Sequence, residues 1–440
     1  MDQRDERDGR DGRDGPGRRG RRDVVVVGGG LAGLTAATYA ARAGGSVVLV
    51  EARTEPGGRA RTEERNGYRF NQGAHALYRT GAAVPILRDL GVTYRGHLPS
   101  QRGTSWIRDG QVTSVVHAGA VGGTSGLRTA LATLRGANAD RARGRSLAEW
   151  LDEEVEDRRV RDLIEMLVRT ASYSADPTTF DAGAAFDQLR RGARGVLYLD
   201  GGWRTLVDGV RAAAAAAGVV TVTGRVERVE VDGGGATAHL ADGSIVAATA
   251  AVIAAGGAHH ADALLSGASD SIRRWSEVAR PVQATTLDVA LTRLPRAGRV
   301  ATYGLGEPTY AVAHSSSAAL APPGGALVHC LYYEPDLHPE VDHRAHLEGI
   351  LDAVQPGWRD VLMEARCSRR LVVAHDRPRP HTTAEDLPGV VVPDLPGVYV
   401  AGDWITTDGL LADAAMSSGR TAGLAASTLH PRRATTPSTV

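Results

Sequence analysis

Three glycines, Gly28, Gly30 and Gly33, stand in the spacing Gly-x-Gly-x-x-Gly between four valines, Val24–Val27, and an alanine-rich stretch, Leu34–Arg42. Each glycine has a chemical use: Gly28 permits a tight turn, Gly30 lets a diphosphate approach the backbone, and Gly33 lets helix and strand pack closely. The helix start then offers N–H groups and the positive end of its dipole to the anion. Glu51 closes the next apolar run, Ser46–Val50. It sits near the ~20-residue distance at which a carboxylate accepts hydrogen bonds from ribose hydroxyls and repels a 2′-phosphate. These residues predict a dinucleotide cradle.

A β-α-β unit must position them. Val24–Val27 is β-branched without polar alternation, as a strand buried on both faces requires. The helix is stopped by Gly44-Gly45, and Ser46–Val50 returns as a parallel strand. Farther on, Ser146–Thr170 has the spacing of one or two amphipathic helices, opened by a capping box of Ser146 and Glu149. A helix over Thr205–Ala217 ends at Gly218. Strands are expected at Val219–Thr223, Arg225–Val231, Ala236–Leu240, Ser244–Ala248 and Ala250–Ala255, and further ones within 281–335. A helix is expected over 340–365, broken near Pro356. Val398–Ala401 reads as a last buried strand, followed by a helix from about Ala412–Ala415 through Leu424.

Composition narrows the function classes. The 440 residues carry 51 basic and 51 acidic side chains, and this balance argues against a nucleic-acid binder. The chain has no lysine, which excludes Schiff-base lysine chemistry and a P-loop. Cys330 and Cys367 are too few for a disulfide framework and fit a reducing cytoplasm. No apolar run reaches the ~18 residues of a membrane span, so no integral membrane segment is expected. Residues 1–22 alternate Arg, Asp and Gly and read, like 431–440, as disordered tails. At ~100–200 residues per domain the length predicts two or three domains.

Further motifs carry a resemblance. Gly57-Gly58-Arg59 follows Glu51 after a short spacer, Gly201-Gly202-Trp203-x-x-Leu206 precedes the strand-rich stretch 219–255, and Val398-Tyr399-Val400-Ala401-Gly402-Asp403-Trp404 precedes Ala414-Ala415-Met416. With these residues the chain resembles the FAD-dependent amine oxidase and phytoene desaturase superfamily, a branch of the glutathione-reductase-like flavoproteins. The resemblance covers most of 23–428 and is weak in 80–195 and 280–370. It implies an α/β fold with a discontinuous Rossmann-like FAD-binding domain over 23–80, 195–280 and 370–430. A second, mixed α+β substrate domain then spans 81–194 and 281–369.

The resemblance also implies the cofactor contacts. Gly28, Gly30, Leu31, Ala32, Gly33, Gly57, Gly58 and Arg59 lie along the FAD diphosphate and flavin. Glu51, Ala52 and Arg53 lie at the ribose, and the backbone of Val226 faces the adenine. Gly73 and Ala74 lie near the flavin, Gly402 and Asp403 near the ribityl or diphosphate region, and Ala414, Ala415 and Met416 at the flavin pyrimidine edge. Two departures stand out: the family's usual lysine near flavin N5 is missing, and neither cysteine sits where a covalent flavin link would need it. Noncovalent FAD is therefore expected, and Trp404 with Thr406–Gly409 looks more like the carotenoid and squalene desaturases.

The expected activity is two-electron oxidation or desaturation, with hydride passing to flavin N5, of a small organic substrate such as an isoprenoid or specialised metabolite. Two alternatives are kept: a redox-neutral flavin-dependent isomerase, and a flavin-free prenyl- or lipid-binding protein of the same fold like the Rab escort and GDP-dissociation-inhibitor proteins. Glu51 together with Gly402-Asp403 speaks against the latter. His75 is a candidate acid/base or substrate contact, with a structural role as its alternative. Trp203, Tyr332, Tyr333 and Trp404 are candidate pocket residues, with core packing as theirs. His259, His260, His338, His343 and His346 lack a ligating pattern, so no metal is expected. The oligomeric state is left open.

Overall fold

The structure, a computed structural model, describes residues 21–100, 102–114 and 123–429. Of the expected tails, 1–20 and 431–440 lie outside these residues, but Arg22 already belongs to the first strand, Arg22–Val27. That strand runs through the middle of a seven-stranded sheet ordered 220–223, 47–51, 22–27, 245–253, 235–240, 226–232, with 398–400 paired to 245–253. Val24–Val27 pair in parallel with Val47–Val50 on one side and with Ala250–Ile253 on the other. A strand enclosed on both edges and both faces has no solvent side, which is why it reads as four valines.

Two expected strands, Ser244–Ala248 and Ala250–Ala255, are one strand, Ile245–Ile253. Ala247-Ala248-Thr249-Ala250 contains no turn residue to break it. Its first half pairs antiparallel with Gly235–Leu240 and its last three residues pair in parallel with Val398–Val400.

The first helix, Leu31–Arg42, packs against the last, Ala412–Ser427. A Cβ on Gly419 would lie 2.3 Å from the Ala32 carbonyl oxygen, and one on Gly423 would lie 2.2 Å from that of Ala36. Glycines one helical turn apart thus let two parallel helices touch backbone to backbone. Because Gly419 sits opposite Ala32, the last helix begins about 9 Å beyond the start of the first, at 1.5 Å per residue, and both N-termini face the same way.

A second seven-stranded sheet is ordered 362–374, 282–291, 326–333, 309–313, 301–304, 104–108, 111–114. In Ala326–Tyr333 the side chains alternate: Val328, Cys330 and Tyr332 pack under the helix His343–Val354, while Leu327, Leu331 and Tyr333 join the cluster on the other face. Helices Leu147–Glu154, with the expected Ser146–Glu149 capping box, and Arg158–Ser172 stand beside this sheet. The helix expected over 340–365 ends at Val354, and Trp358–Val361 is a short 3-10 turn. Leu362–Ala374 is a strand that the sequence reading missed. It lies at the sheet edge, where Glu364, Arg366, Arg369 and Arg370 interrupt the apolar alternation without harm.

Candidate active site

One cavity of about 2300 Å³ runs between the two sheets. It exceeds the ~300–1,000 Å³ of an ordinary small-molecule pocket more than twofold, so it has room for two ligands. One end is lined by Gly28, Gly30, Leu31, Ala32, Glu51, Ala52, Arg53, Gly57, Gly58, Arg59, Gly73, Ala74, Val226, Gly402, Asp403 and Ala415. Three other expected contacts do not line it. A Cβ on Gly33 would lie 1.8 Å from the Gly28 carbonyl oxygen, so this glycine serves helix–strand packing. Ala414 and Met416 are buried in the core, while on the last helix Ala412, Asp413 and Ala415 line the cavity.

The residues at this end suit a dinucleotide. The first helix is capped by Gly30 with no side-chain hydrogen bond, and a Cβ on Gly30 would meet nothing within 4 Å. Its backbone therefore opens directly onto the cavity, as anion binding at a helix start requires. The Glu51 carboxylate accepts hydrogen bonds from the backbone N–H of Gly29 at 2.6 Å and of Arg53 at 2.9 Å. Ionised, it has about four acceptor sites, so it can hold the two loops and still accept from ribose hydroxyls.

Arg59 does not present a free fork. Its two terminal nitrogens donate to the two oxygens of Asp403 at 2.6 and 2.7 Å, and one also donates to the Val373 carbonyl at 2.6 Å. The His375 Nδ1 lies 2.9 Å from Asp403. Burial pushes the Asp403 carboxyl up, but Arg59 and His375 outweigh it and hold the carboxyl well below the usual carboxylate range. Asp403 is thus a fixed anion that locks the Gly57–Ala60 turn to the last strand. Nearby, the last helix begins after Leu411, whose φ of +58° with ψ of −125° is a strained backbone conformation that costs roughly 1–3 kcal/mol. Asp413 accepts from the Ala83 N–H at 2.9 Å, its other oxygen has no partner, and burial pushes its carboxyl up to about 6.

The rest of the cavity is an apolar chamber. Of the chain's six Trp, eleven Tyr and three Phe, two Trp, six Tyr and one Phe line the cavity. The Tyr198 and Tyr310 hydroxyls bond each other at 3.2 Å. His75 stacks on Trp203 with ring centroids 5.0 Å apart. Its Nδ1 lies 3.0 Å from the Gly73 carbonyl, which can only accept, so Nδ1 carries a proton. Although part of its surface opens into the cavity, His75 lies deep in the protein, and burial brings its pKa down to about 4.

Trp203 and Tyr333 line the chamber; Tyr332 and Trp404 do not. Strand alternation turns Tyr332 to the opposite face, against His338, His343 and His346. Trp404 packs on Trp275 in the core of the first sheet. Sequence reasoning also missed His375, Asp413 and His314, all of which line the cavity. A histidine amid apolar strand residues was the available signal, since such a group needs a partner. Among the described lining residues the carboxylates are Glu51, Glu227, Asp403 and Asp413, and none belongs to the second sheet.

The profile of the family described as flavin-containing amine oxidoreductases matches residues 31–424. A limonene dehydrogenase component of Castellaniella defragrans is 49% identical over 75 residues, 17% of this chain and 13% of that protein. Carotenoid 3,4-desaturase of Haloarcula japonica is 53% identical over 51 residues, 12% of this chain and 10% of that one. The chain thus matches only a small part of the length of these curated relatives. The crystal structure of an oxidoreductase from Methanosarcina mazei superimposes with a TM-score of 0.73 at 19% identity, covering 90% of this chain and 99% of that one, a likeness of fold. A match over nearly the whole chain, on a cavity entered by two helix starts, places this chain in the flavin-containing amine oxidoreductase family.

Proposed function

We propose that the chain binds FAD noncovalently and catalyses two-electron oxidation or desaturation of an uncharged, apolar small molecule. The observation that carries this is the single cavity on which both helix starts, Glu51 and Val226 open at one end and the aromatic chamber opens at the other. Gly28, Gly30, Leu31, Ala32, Gly57 and Gly58 would hold the diphosphate, Glu51 the ribose and Val226 the adenine. Gly402, Asp403, Ala412 and Ala415 would lie at the flavin end. When bound, FAD supplies the hydride-accepting chemistry. The protein's own part is to place a C–H bond, exclude water and manage the remaining proton.

The domain division at 23–80, 195–280 and 370–430 against 81–194 and 281–369 belongs to this reading, with the strand Leu362–Ala374 crossing its boundary. Noncovalent binding is supported by the cysteines, neither of which lines the cavity. Both pair with Leu287 from opposite sides, two strand spacings or ~9.6 Å apart, beyond disulfide reach. Free thiols fit a cytoplasmic setting. Among the described residues no helix is long and apolar enough to cross a membrane.

An apolar substrate is favoured over an amine because an ammonium group would find no carboxylate on the chamber wall formed by the second sheet. The names of the limonene dehydrogenase and carotenoid desaturase relatives point the same way. Purified protein should be yellow, and denaturation should release intact FAD. Limonene should bleach the flavin without oxygen and putrescine should not. Colourless protein that takes up no FAD would favour the binding-protein alternative. Conversion of substrate without net bleaching would favour the isomerase. Bleaching by putrescine alone would sink the apolar substrate.

A further inference from the structure

Asp288, His329 and Arg366 form a polar row inside an otherwise apolar sheet. Asp288 pairs in register with His329 on one neighbouring strand and with Arg366 on the other. The His329 Nδ1 lies 2.7 Å from one Asp288 oxygen, and Arg366 donates to the other at 3.0 Å. His329 and Asp288 are both fully buried. By strand alternation they share the face of Leu331, Tyr333 and Thr286, which line the cavity. The His329 Nε2 has no partner. Above it lies His314, ring centroids 4.8 Å apart, itself lining the cavity and stacked on Tyr198 at 4.0 Å.

Such a row costs stability. Apolar side chains of the same shape would pack at least as well as a buried charged pair. Because a carboxylate only accepts, Nδ1 of His329 is the protonated nitrogen, and Nε2 is left as a bare acceptor facing no donor. That is the arrangement of an imidazole held ready to take a proton, with an anion behind it to stabilise the cation.

We propose that His314 is the catalytic base of the chamber, and that His329 and Asp288 are positioning residues that draw the proton onward. The proposal rests on the oxidoreductase reading above. When a substrate C–H leaves as hydride to the flavin, the neighbouring C–H still holds a proton more than the alkene product. That bond's electron pair becomes the new π bond, and its proton goes to one ring nitrogen of His314. Once the His314 ring turns so that its other N–H meets the unpartnered Nε2 of His329, that proton passes on, and Asp288 balances the charge. A C–H beside an electron-poor carbon is acidic, so a weak base suffices, and Tyr198 and Tyr310 offer ring faces to the developing charge. His75 is the lesser candidate. Its Nδ1 is tied to a carbonyl with no anion behind it; burial opposes the cation at both imidazoles, more strongly at His314, which is why His314 rests neutral and needs His329 and Asp288.

The test uses the full chain loaded with FAD. Nitrogen-15 NMR of labelled histidines at pH 7 should show His314 neutral and His329 protonated at Nδ1 only. A charged His314, or a proton on Nε2 of His329, overturns the proposal whatever the substrate is. With limonene as probe, His314→Gln should slow anaerobic bleaching about 10²–10⁴-fold while flavin content and reduction by dithionite stay unchanged. Asp288→Asn should slow anaerobic bleaching with flavin content and the KM for limonene unchanged, since it removes the anion beside His329. His329→Gln, which leaves Asp288 paired with Arg366, should slow it likewise and serves if Asp288→Asn does not fold. His75, Tyr198, Tyr310 and Arg366 also face the row, and all are kept in these variants. Unchanged bleaching in His314→Gln overturns the proposal and leaves the oxidoreductase reading intact. Failure to take up FAD ends that reading, while the resting tautomers still support or overturn the row.

Discussion

The two ends of the cavity are built by different means. The end proposed for the nucleotide presents backbone groups at glycine turns and helix starts, with Glu51, Arg59 and Asp403 locking the loops. In the chamber the lining groups are side-chain faces from many segments: Trp106, Tyr173, Tyr198, Tyr303, Tyr310 and Tyr333. A charged ligand of constant shape is held by fixed dipoles, which need particular residues at particular spacings. A neutral apolar ligand is held by shape and dispersion, which many side chains supply. The first kind of site therefore leaves a motif and the second does not.

The contrast breaks most visibly at Arg59. Arg59→Ala leaves Asp403, almost fully buried, without its only guanidinium partner and with His375 alone beside it. Unfolding in urea should show a loss of about 3 kcal/mol, the low end for a broken buried pair because Arg59 is itself one-third exposed. Flavin uptake should fall with it. Arg59→Ala/Asp403→Asn should recover much of the loss. A single variant as stable as the parent would mean that the lock does not organise the nucleotide end.

Asp413 offers a pH-dependent version of the same comparison. Its folded pKa of about 6 lies above the ordinary 3.8 because burial disfavours the anion. Below pH 3.8 both folded and unfolded forms hold the proton, and the full stability is present. Between 3.8 and 6 the unfolded chain releases it and the folded one does not, so stability falls as pH rises and levels off above 6. Asp413→Asn removes that fall. Thermal unfolding should show the variant more stable by up to about 3 kcal/mol at pH 7–8, at 1.36 kcal/mol per pKa unit, and nearly equal at pH 3.5.

How much was legible follows the same divide. Gly28, Gly30, Gly33 and Glu51 were readable because their roles depend on neighbours within a single β-α-β unit. Gly28, Gly30 and Glu51 line the cavity, whereas Gly33 does not and serves packing alone, with a 1.8 Å approach that excludes a side chain. Tyr332 and Trp404 failed because aromatic identity does not say which face of a strand or loop a ring takes. Tyr333, one residue on, faces the chamber. The row Arg366–Asp288–His329 joins three strands far apart in sequence, one of them an edge strand hidden by its charges. Register made that row, and no local spacing announces register.

A milder effect is expected at Glu51. Glu51→Gln keeps the shape but turns an amide N–H₂ toward one of the two backbone donors, Gly29 or Arg53. The cost should be about 1–2 kcal/mol, as for a lost hydrogen bond to a charged group. FAD affinity, measured by fluorescence titration, should weaken by about tenfold, with the chamber's preference for apolar probes unchanged. A shift in that preference would mean the two ends are coupled rather than read separately.

The smallest effect should sit in the chamber itself. Tyr310→Phe removes one hydroxyl of the buried Tyr198–Tyr310 pair and keeps both rings. Tyr198 then loses its partner away from bulk water, at about 1 kcal/mol of stability. If the chamber reads its ligand by shape alone, flavin content should not change, and limonene should bleach the flavin at a similar rate, because the ring faces that meet a hydrocarbon remain. A tenfold loss of rate at full flavin content would instead give the Tyr310 hydroxyl a polar task. The chamber's substrate would then have to carry an oxygen or nitrogen for it to bond.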